Sequence, residues 1–186
     1  RSTPPAPAIE DLDKDLHGVA WDLLPMDKYR AHNWHCFGRI SERQPYASMY
    51  TSLGCPFKCS FCCINTPFGK PMIRYRSPEN VVREIDELVT KYGVRNIKMA
   101  DEMFVLNERQ VIGICDLLIE RGYDLNIWAY ARIDTVKDSM LVKLKKAGFN
   151  WLGIGIESGS KFVRDGVEKG RFGDSDIRKI VAKVRE

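Results

Sequence analysis

The 186-residue sequence has no apolar run of the length that a membrane-spanning helix needs, and no strong excess of charge of either sign. Lys and Arg outnumber Asp and Glu by only 29 to 25, which gives a net charge of +4. Because charges of both signs alternate along the chain, no basic patch predicts binding to nucleic acid. With 44% hydrophobic residues the chain can bury a core, and one globular domain is the simplest expectation.

The sequence also lacks an N-terminal secretion signal, which affects how its six cysteines are interpreted. Four of them crowd into residues 55–63. Cysteines of a secreted chain would form disulfides, whereas this crowded group favours a reduced metal site. We therefore expect a cytoplasmic protein with free thiols.

The chain begins with Arg-Ser-Thr-Pro-Pro-Ala-Pro and no initiating Met, which is typical of a linker within a longer polypeptide. We expect residues 1–45 to be a linker and lead-in segment, with residues 1 to about 16 extended over the rest. Residues 18–30 are aromatic and leucine-rich and predict a short helix or a covering turn that is interrupted at Pro25.

From residue 46 to residue 186, strand patterns alternate with helix patterns. The predicted strands are 46–53, 96–100, 125–130 and 151–156. The predicted helices run from Ser77 to Gly93, from Asn107 to Gly122, up to Gly148, and from a cap at Asp174. The glycines at 93, 122 and 148 are 29 and 26 residues apart, close to the roughly 31 residues per unit of a (β/α)₈ barrel. The fold class is therefore α/β, a partial TIM-like (β/α) barrel with about four units.

Three cysteines, Cys55, Cys59 and Cys62, follow the first strand with the spacing Cys-x-x-x-Cys-x-x-Cys. Three thiolates leave one iron of a [4Fe-4S] cube without a protein ligand, whereas electron-transfer clusters are usually saturated by four. The open iron can bind a substrate or a cofactor. Zinc would need a fourth ligand, and Cys63 is available, but the chain would have to double back within one residue. We interpret Cys63 as a packed or bystander thiol.

Polar residues follow three of the predicted strands, and functional residues of β/α barrels gather at these strand ends. Asp101 and Glu102 follow the second strand, Arg132 ends the third, and Glu157 and Ser158 follow the fourth. Two alternatives stay open at this point. Asp101 and Glu102 could be solvated loop residues. Arg132 could form a salt bridge with Asp101 or with Asp134. A glutamate directly after an apolar strand is costly to bury unpaired, so Glu157 predicts a ligand or a basic partner.

Two further groups have weaker signals. His32, His35 and Cys36 are close enough in sequence to bind a metal, but without a fourth ligand a surface loop is the better interpretation. Trp128 and Trp151 fall on predicted strands and are expected in the core or lining a pocket.

The three-cysteine loop after a strand, the aromatic Phe61 just before the third cysteine and the β/α repeat together resemble the radical S-adenosylmethionine (SAM) superfamily over residues 46–186. The resemblance implies a [4Fe-4S] cluster held by the three cysteines, with the methionyl amine and carboxylate of SAM on the fourth iron. One-electron cleavage of the sulfonium would then give a 5′-deoxyadenosyl radical that abstracts a hydrogen atom from substrate.

The same resemblance implies roles for the residues at the strand ends. Asp101 or Glu102 would accept hydrogen bonds from the methionyl ammonium. Arg132 would bind the methionyl carboxylate. Glu157, with Ser158 behind it, would hold the ribose hydroxyls.

A narrower resemblance is carried by residues 20–29, Ala-Trp-Asp-Leu-Leu-Pro-Met-Asp-Lys-Tyr, which are similar to the stretch that precedes the barrel in cobalamin-dependent members. It implies cobalamin on a domain outside this chain, and a methyl transfer or ring-forming reaction. A small-molecule substrate and a reductant such as flavodoxin or ferredoxin are the expected partners. The alternatives are a tRNA-modifying radical SAM enzyme and a non-catalytic, metal-stabilised binding module. Four β/α units alone are expected to be weakly active or inactive.

Overall fold

A computed structural model describes residues 3–4, 6–36 and 39–186. It contains a four-stranded parallel sheet whose strands, in sheet order, are Tyr46–Met49, Asn96–Met99, Asn126–Arg132 and Phe149–Gly155. The elements in chain order are α1 (Leu12–Asp15), β1 (Tyr46–Met49), β2 (Ser52–Cys55), β3 (Met72–Tyr75), α2 (Pro78–Tyr92), β4 (Asn96–Met99), α3 (Glu108–Arg121), β5 (Asn126–Arg132), α4 (Asp138–Lys146), β6 (Phe149–Gly155), α5 (Lys161–Gly166) and α6 (Asp174–Arg185). The predicted α/β architecture with four parallel strands and helical crossovers is confirmed.

The two faces of the sheet have different chemistry because successive strand residues point to opposite sides. One face, with Ile97 and Ala129, joins the core formed with the helices. The other face, here called the inner face, carries Lys98 and Trp128, which pair directly in the β4–β5 register. Trp128 in turn pairs with Trp151 of β6, so both tryptophans lie on strands as predicted.

The two longest crossover helices begin and end where the sequence predicts. Ser77 caps α2 and Asn107 caps α3, each accepting a hydrogen bond from the backbone N–H three residues later at 3.3 Å. Gly93 and Gly122 end these helices in the left-handed conformation, with φ of 66° and 65°. Within the described ranges, none of the helices combines the length and the apolar character needed to cross a membrane.

The ends of the later helices differ from the prediction. Helix α4 ends at Lys146, two residues before Gly148. The prediction that Asp174 caps α6 is wrong, because Gly173 occupies the cap position and Asp174 is the first helical residue. Its carboxylate instead forms an ion pair with the fully buried Arg164, whose Nη2 donates to Asp174 Oδ1 at 2.9 Å.

The predicted strand 46–53 is two strands, and the antiparallel hairpin of β2 with β3 was not predicted. The chain leaves the parallel sheet after Met49 because the backbone N–H and hydroxyl of Thr51 are both bound by the Asp101 carboxylate. Strand β5 runs two residues further than predicted, to Arg132, and β6 begins two residues earlier, at Phe149.

Within the segment that was predicted to run extended, residues 12–15 form the short helix α1 instead, and the chain that follows packs on the core. Leu12 on α1 is 1% exposed, and Trp21 and Met26 belong to the main core. Two 3₁₀ turns, Trp21–Leu23 and Met26–Lys28, lie on either side of Pro25, where the interruption was predicted. Residues 1, 2, 5, 37 and 38 of the predicted linker and lead-in segment lie outside the described residues. The division of the chain at residue 46 stays a prediction.

The prediction of a surface loop is wrong for His35 and Cys36, whereas His32 is exposed as predicted. A 3₁₀ turn, Asn33–Cys36, buries His35 and Cys36, which are 3% and 2% exposed, at the N-terminal ends of two strands. The Cys36 thiol donates to Asn96 Oδ1 at 3.2 Å, and His35 Nε2 lies 3.3 Å from the carbonyl oxygen of Asn126. These hydrogen bonds give the buried polar groups of His35 and Cys36 partners at the first residues of β4 and β5.

Candidate functional site

The three motif cysteines lie at the end of β2 and in the turn that follows it. Cys55 is buried, Cys59 is half-buried and Cys62 is exposed, and all three are free thiols. The turn is closed by the Cys62 N–H, which donates to the Cys59 carbonyl at 3.0 Å. Burial raises the pKa of the Cys55 thiol, and the neighbouring Cys59 and Cys62 add to the rise, whereas a hydrogen bond from the Phe57 backbone and the charge of Arg132 oppose it.

The remaining residues of the loop lie at its surface. Cys63 is an exposed free thiol, and its carbonyl accepts from the Thr66 N–H at 2.9 Å. Phe61 is 54% exposed. In the part of the chain that the structure describes, no three His, Cys, Asp or Glu side chains converge as ligands of a single ion would. Each cysteine of a [4Fe-4S] cube binds a different iron, so cluster ligands need not converge on one point.

Arg132, the last residue of β5, reaches the cysteine loop. Its Nε and Nη2 donate to Asp134 at 2.9 Å, so the predicted salt bridge is present with Asp134. Its Nη1 lies 3.6 Å from the Cys59 sulfur, and its Cζ lies 3.6 Å from the ring centroid of Phe57. Burial alone would lower the pKa of Arg132, but the bonded Asp134 carboxylate outweighs burial and raises it. The guanidinium is thus fixed against the loop.

Asp101 follows β4, and its carboxylate lies against Thr51 and Ser52, where β2 begins. It is fully buried and accepts hydrogen bonds from Thr51 N at 3.0 Å, Thr51 Oγ1 at 2.8 Å and Ser52 Oγ at 2.6 Å. Burial raises the pKa of the Asp101 carboxyl, and these hydrogen bonds oppose the rise. Its carboxylate fixes the junction that directs β2 and Cys55 toward the site.

Glu102, the next residue, is half-buried, and its Oε2 atom is buried without a hydrogen-bond partner among the described residues. Burial raises the pKa of the Glu102 carboxyl and the neighbouring Asp101 adds to the rise, whereas backbone hydrogen bonds from Glu102 itself and from Gly54 oppose it. A buried acceptor without a donor is costly, so this oxygen fits a ligand that brings an N–H or ammonium group. Of the two acids, Glu102 is the one with free hydrogen-bonding capacity.

Glu157 follows β6 in a left-handed conformation, with φ of 67°. Its carboxylate pairs with Lys169 Nζ at 2.8 Å, so the basic partner anticipated from the sequence is present. A Cβ on Gly155 would lie 2.8 Å from Glu157 Oε1, so this glycine leaves the space that the ion pair occupies. Ser158 is half-buried, and its Oγ accepts from the Ser160 N–H at 3.1 Å.

The segment after α5 contacts the cysteine loop and Arg132, and this contact was not predicted from the sequence. The Val167 carbonyl accepts from the Ser60 N–H at 3.1 Å, and the Lys169 carbonyl accepts from Arg132. Gly170 has φ of 137°, and a Cβ there would lie 2.6 Å from Arg132 Nη2. The sequence shows only a glycine at this position. A glycine alone does not indicate a close contact with Arg132, because that contact is known only from the fold.

The C-terminal end of the parallel sheet thus gathers three free thiols, the guanidinium of Arg132 and the unsatisfied oxygen of Glu102. This donor set fits an iron–sulfur cluster with an open iron, beside groups that would bind a ligand with an ammonium and a carboxylate. The fold and the site together define a partial β/α barrel whose cysteine loop fits an iron–sulfur cluster. The chain matches the model of the Radical SAM superfamily over residues 49–186, and it belongs to that superfamily.

Two curated relatives cover nearly the whole chain. An uncharacterized methyltransferase of Pyrococcus horikoshii is 34% identical over 170 residues, which are 91% of this chain and 34% of the relative. The anaerobic magnesium-protoporphyrin IX monomethyl ester cyclase of Rubrivivax gelatinosus is 32% identical over 170 residues, 90% of this chain and 28% of the relative. The chain therefore spans about a third or less of the length of these relatives.

Two solved structures share the fold. The radical SAM methyltransferase TsrM of Kitasatospora setae, with cobalamin and a [4Fe-4S] cluster bound, has a TM-score of 0.65 and 22% identity, covering 77% of this chain and 29% of that one. The cobalamin-dependent SAM radical enzyme OxsB, with aqua-cobalamin and SAM bound, has a TM-score of 0.61 and 24% identity, covering 80% and 23%. At these identities the likeness establishes the fold.

Proposed function

We propose that this chain is the core of a radical SAM enzyme in which Cys55, Cys59 and Cys62 hold a [4Fe-4S] cluster and SAM binds the fourth iron. The observation that carries the proposal is the meeting of these three thiols with Arg132 and the unsatisfied Glu102 oxygen at one end of the sheet. When bound, the cluster and SAM supply one-electron cleavage of the sulfonium and a 5′-deoxyadenosyl radical.

The residues around the cluster would bind and orient SAM. Glu102 accepts from the methionyl ammonium, because its buried oxygen has no donor among the described residues. Arg132 offers N–H groups to the methionyl carboxylate and to the cysteine loop from a position fixed by Asp134 and Phe57. Asp101 acts through Thr51 and Ser52 rather than through SAM.

The ribose end of SAM would be held after β6. Glu157 and Ser158 provide acceptors for the ribose hydroxyls, and Lys169 holds the Glu157 carboxylate in place. Phe61, which is 54% exposed, would cover the outer side of the cluster loop and shield it from water. A dry, oriented site favours one productive geometry of the reacting atoms.

The reaction we propose is that of a cobalamin-dependent methylase or a related enzyme. The support is the likeness to relatives named as methyltransferases and to structures with bound cobalamin. Because the chain spans about a third or less of its relatives, cobalamin and further substrate contacts would belong to parts of the polypeptide outside this sequence.

We also propose a cytoplasmic location, a small-molecule substrate and a flavodoxin or ferredoxin as reductant. The six cysteines are all free thiols, which is typical of a reducing compartment. Exposure of Cys62 at the loop surface would let an electron donor approach the cluster.

The function is tested by the effect of SAM on the electron paramagnetic resonance spectrum of the reconstituted, dithionite-reduced protein. We expect SAM in large excess to change the spectrum, because it would bind the open iron. Glu102→Gln should need about tenfold more SAM for the same change, since a charge-assisted hydrogen bond is lost. Glu120→Gln, at an exposed carboxylate near the end of α3, is the matched control and should behave like the wild type. A spectrum that SAM never alters would contradict the proposal.

A further inference from the structure

The inner face of the sheet carries a cation that is surrounded by aromatic rings. Lys98 Nζ lies 4.9 Å from the ring centroid of Trp128 and 5.3 Å from that of Tyr130. The two rings are 4.3 Å apart at 78°. Lys98 is half-buried, and among the described residues no carboxylate forms a salt bridge with it. The rings attract the ammonium but give its three N–H groups no oxygen acceptor.

Of the rings near Lys98, Trp128 is 6% exposed, and the rings that reach the surface are those of Trp34 and Tyr130. The Trp34 ring lies 5.1 Å from that of Trp128, and Trp34 and Tyr130 are 41% and 37% exposed. Gly153 of β6 leaves space for the rings, since a Cβ there would lie 2.7 Å from Trp128 Cζ2. Lys98, Trp34, Trp128 and Tyr130 are here called the aromatic–lysine patch.

The aromatic–lysine patch lies on the same side of the sheet as the candidate site. Trp128, Tyr130 and Arg132 alternate along β5 and therefore face the same way. Tyr130 is two residues from Arg132, which is about 7 Å along the strand. A molecule lying on the patch would reach toward the cysteine loop.

We propose that the aromatic–lysine patch binds the substrate of the radical reaction, and that this substrate is a planar conjugated molecule with a carboxylate that pairs with Lys98. The inference rests on the proposed function for what happens to the substrate, but binding at the patch needs no cluster. The exposed parts of the Trp34 and Tyr130 rings provide stacking area, and the ammonium, which has no carboxylate partner among the described residues, provides charge complementarity. A carboxylate would give Lys98 the acceptor that the described residues do not supply.

The probes are 2-naphthoate, a flat ring system with a carboxylate, and its uncharged amide 2-naphthamide. Equilibrium dialysis measures their binding directly from probe absorbance, with and without a reconstituted cluster. We expect 2-naphthoate to bind the wild type, and Lys98→Met to weaken it about tenfold, because a charge-assisted hydrogen bond is lost. 2-Naphthamide should bind both proteins equally. Lys98→Arg keeps the cation and should retain most of the affinity.

Lys145→Met, at an exposed lysine of α4, is the control for loss of one positive charge and should bind 2-naphthoate like the wild type. Thermal melting checks that the Lys98 variants fold. If Lys98→Met does not fold, the binding of 2-naphthoate and 2-naphthamide is compared between Lys98→Arg and the wild type. The inference is overturned if 2-naphthoate does not bind, if Lys98→Met binds it normally, or if the amide binds the wild type as tightly as the acid. Naphthoate binding by a protein that forms no cluster would support the patch while rejecting the proposed function.

Discussion

The six cysteines differ sharply in their surroundings, and this difference separates candidate ligands from packed thiols. Cys36 and Cys115 are buried away from the loop, whereas Cys62 and Cys63 are exposed. Burial raises the pKa of Cys115 to about 12, with the neighbouring Asp116 adding to the rise. The thiolate is the reactive form, so a thiol with that pKa is inert near neutral pH.

Alkylation of the metal-free protein by iodoacetamide at pH 8 tests this difference. We expect rapid labelling at Cys62 and Cys63 and none at Cys36 or Cys115 in the folded protein, as measured by mass spectrometry of peptides. In urea all six cysteines should be labelled. Early labelling of Cys115 in the folded state would show that α3 does not pack as described.

Individual site residues differed in how well the sequence predicted them. The spacing of the three cysteines and the position of Arg132 at a strand end were visible in the sequence, because both follow from local pattern. The hydrogen bonds from Thr51 and Ser52 to Asp101 were not, since they join residues about 50 positions apart. Lys169 was missed for the same reason.

At the scale of elements, helix α2 holds the N-terminal segment through one buried carboxylate. Glu84 accepts from Trp21 Nε1 at 2.8 Å and from the Val19 N–H at 3.2 Å, and it forms an ion pair with Arg76. The side chains of Glu84 and Arg76 are 6% and 5% exposed. Removing one partner of a buried pair leaves the other charge uncompensated.

We therefore expect Glu84→Ala to lower the free energy of unfolding by about 3–5 kcal/mol, as measured by urea denaturation. Trp21→Phe removes the indole N–H donor and leaves a smaller aromatic ring, and the lost hydrogen bond alone should cost about 1–3 kcal/mol. Glu87→Ala on the same helix breaks only an exposed pair with Lys91 and should leave the midpoint nearly unchanged. Equal effects of Glu84→Ala and Glu87→Ala would refute the buried clamp.

Helices were predicted better than the first strand. The caps at Ser77 and Asn107 and the glycines at 93 and 122 are local signals, and α2 and α3 begin and end there. The break between β1 and β2 depends on Asp101, which lies 50 residues away in sequence, so no local pattern marks it. The β2–β3 hairpin is missed with it, because its strands are separated by the whole cysteine loop.

At the scale of the whole molecule, parallel topology explains why scattered residues form one site. Each crossover helix returns the chain to the same end of the sheet, so the residues that follow β4, β5 and β6 meet there. This consequence of the β/α repeat let the sequence predict that Asp101, Arg132 and Glu157 share an end. Which of their oxygens and nitrogens remain available for a ligand required the tertiary contacts.

The most direct test of the central claim is the iron and sulfide content after anaerobic reconstitution of the wild type and of single Cys→Ala variants. We predict about four irons per chain in the wild type, since three thiolates and one exogenous ligand complete a cube. Cys55→Ala, Cys59→Ala and Cys62→Ala should lose the cluster, and Cys63→Ala should keep it. Stoichiometric zinc that reconstitution does not replace, or loss of all iron in Cys63→Ala, would contradict the three-cysteine cluster.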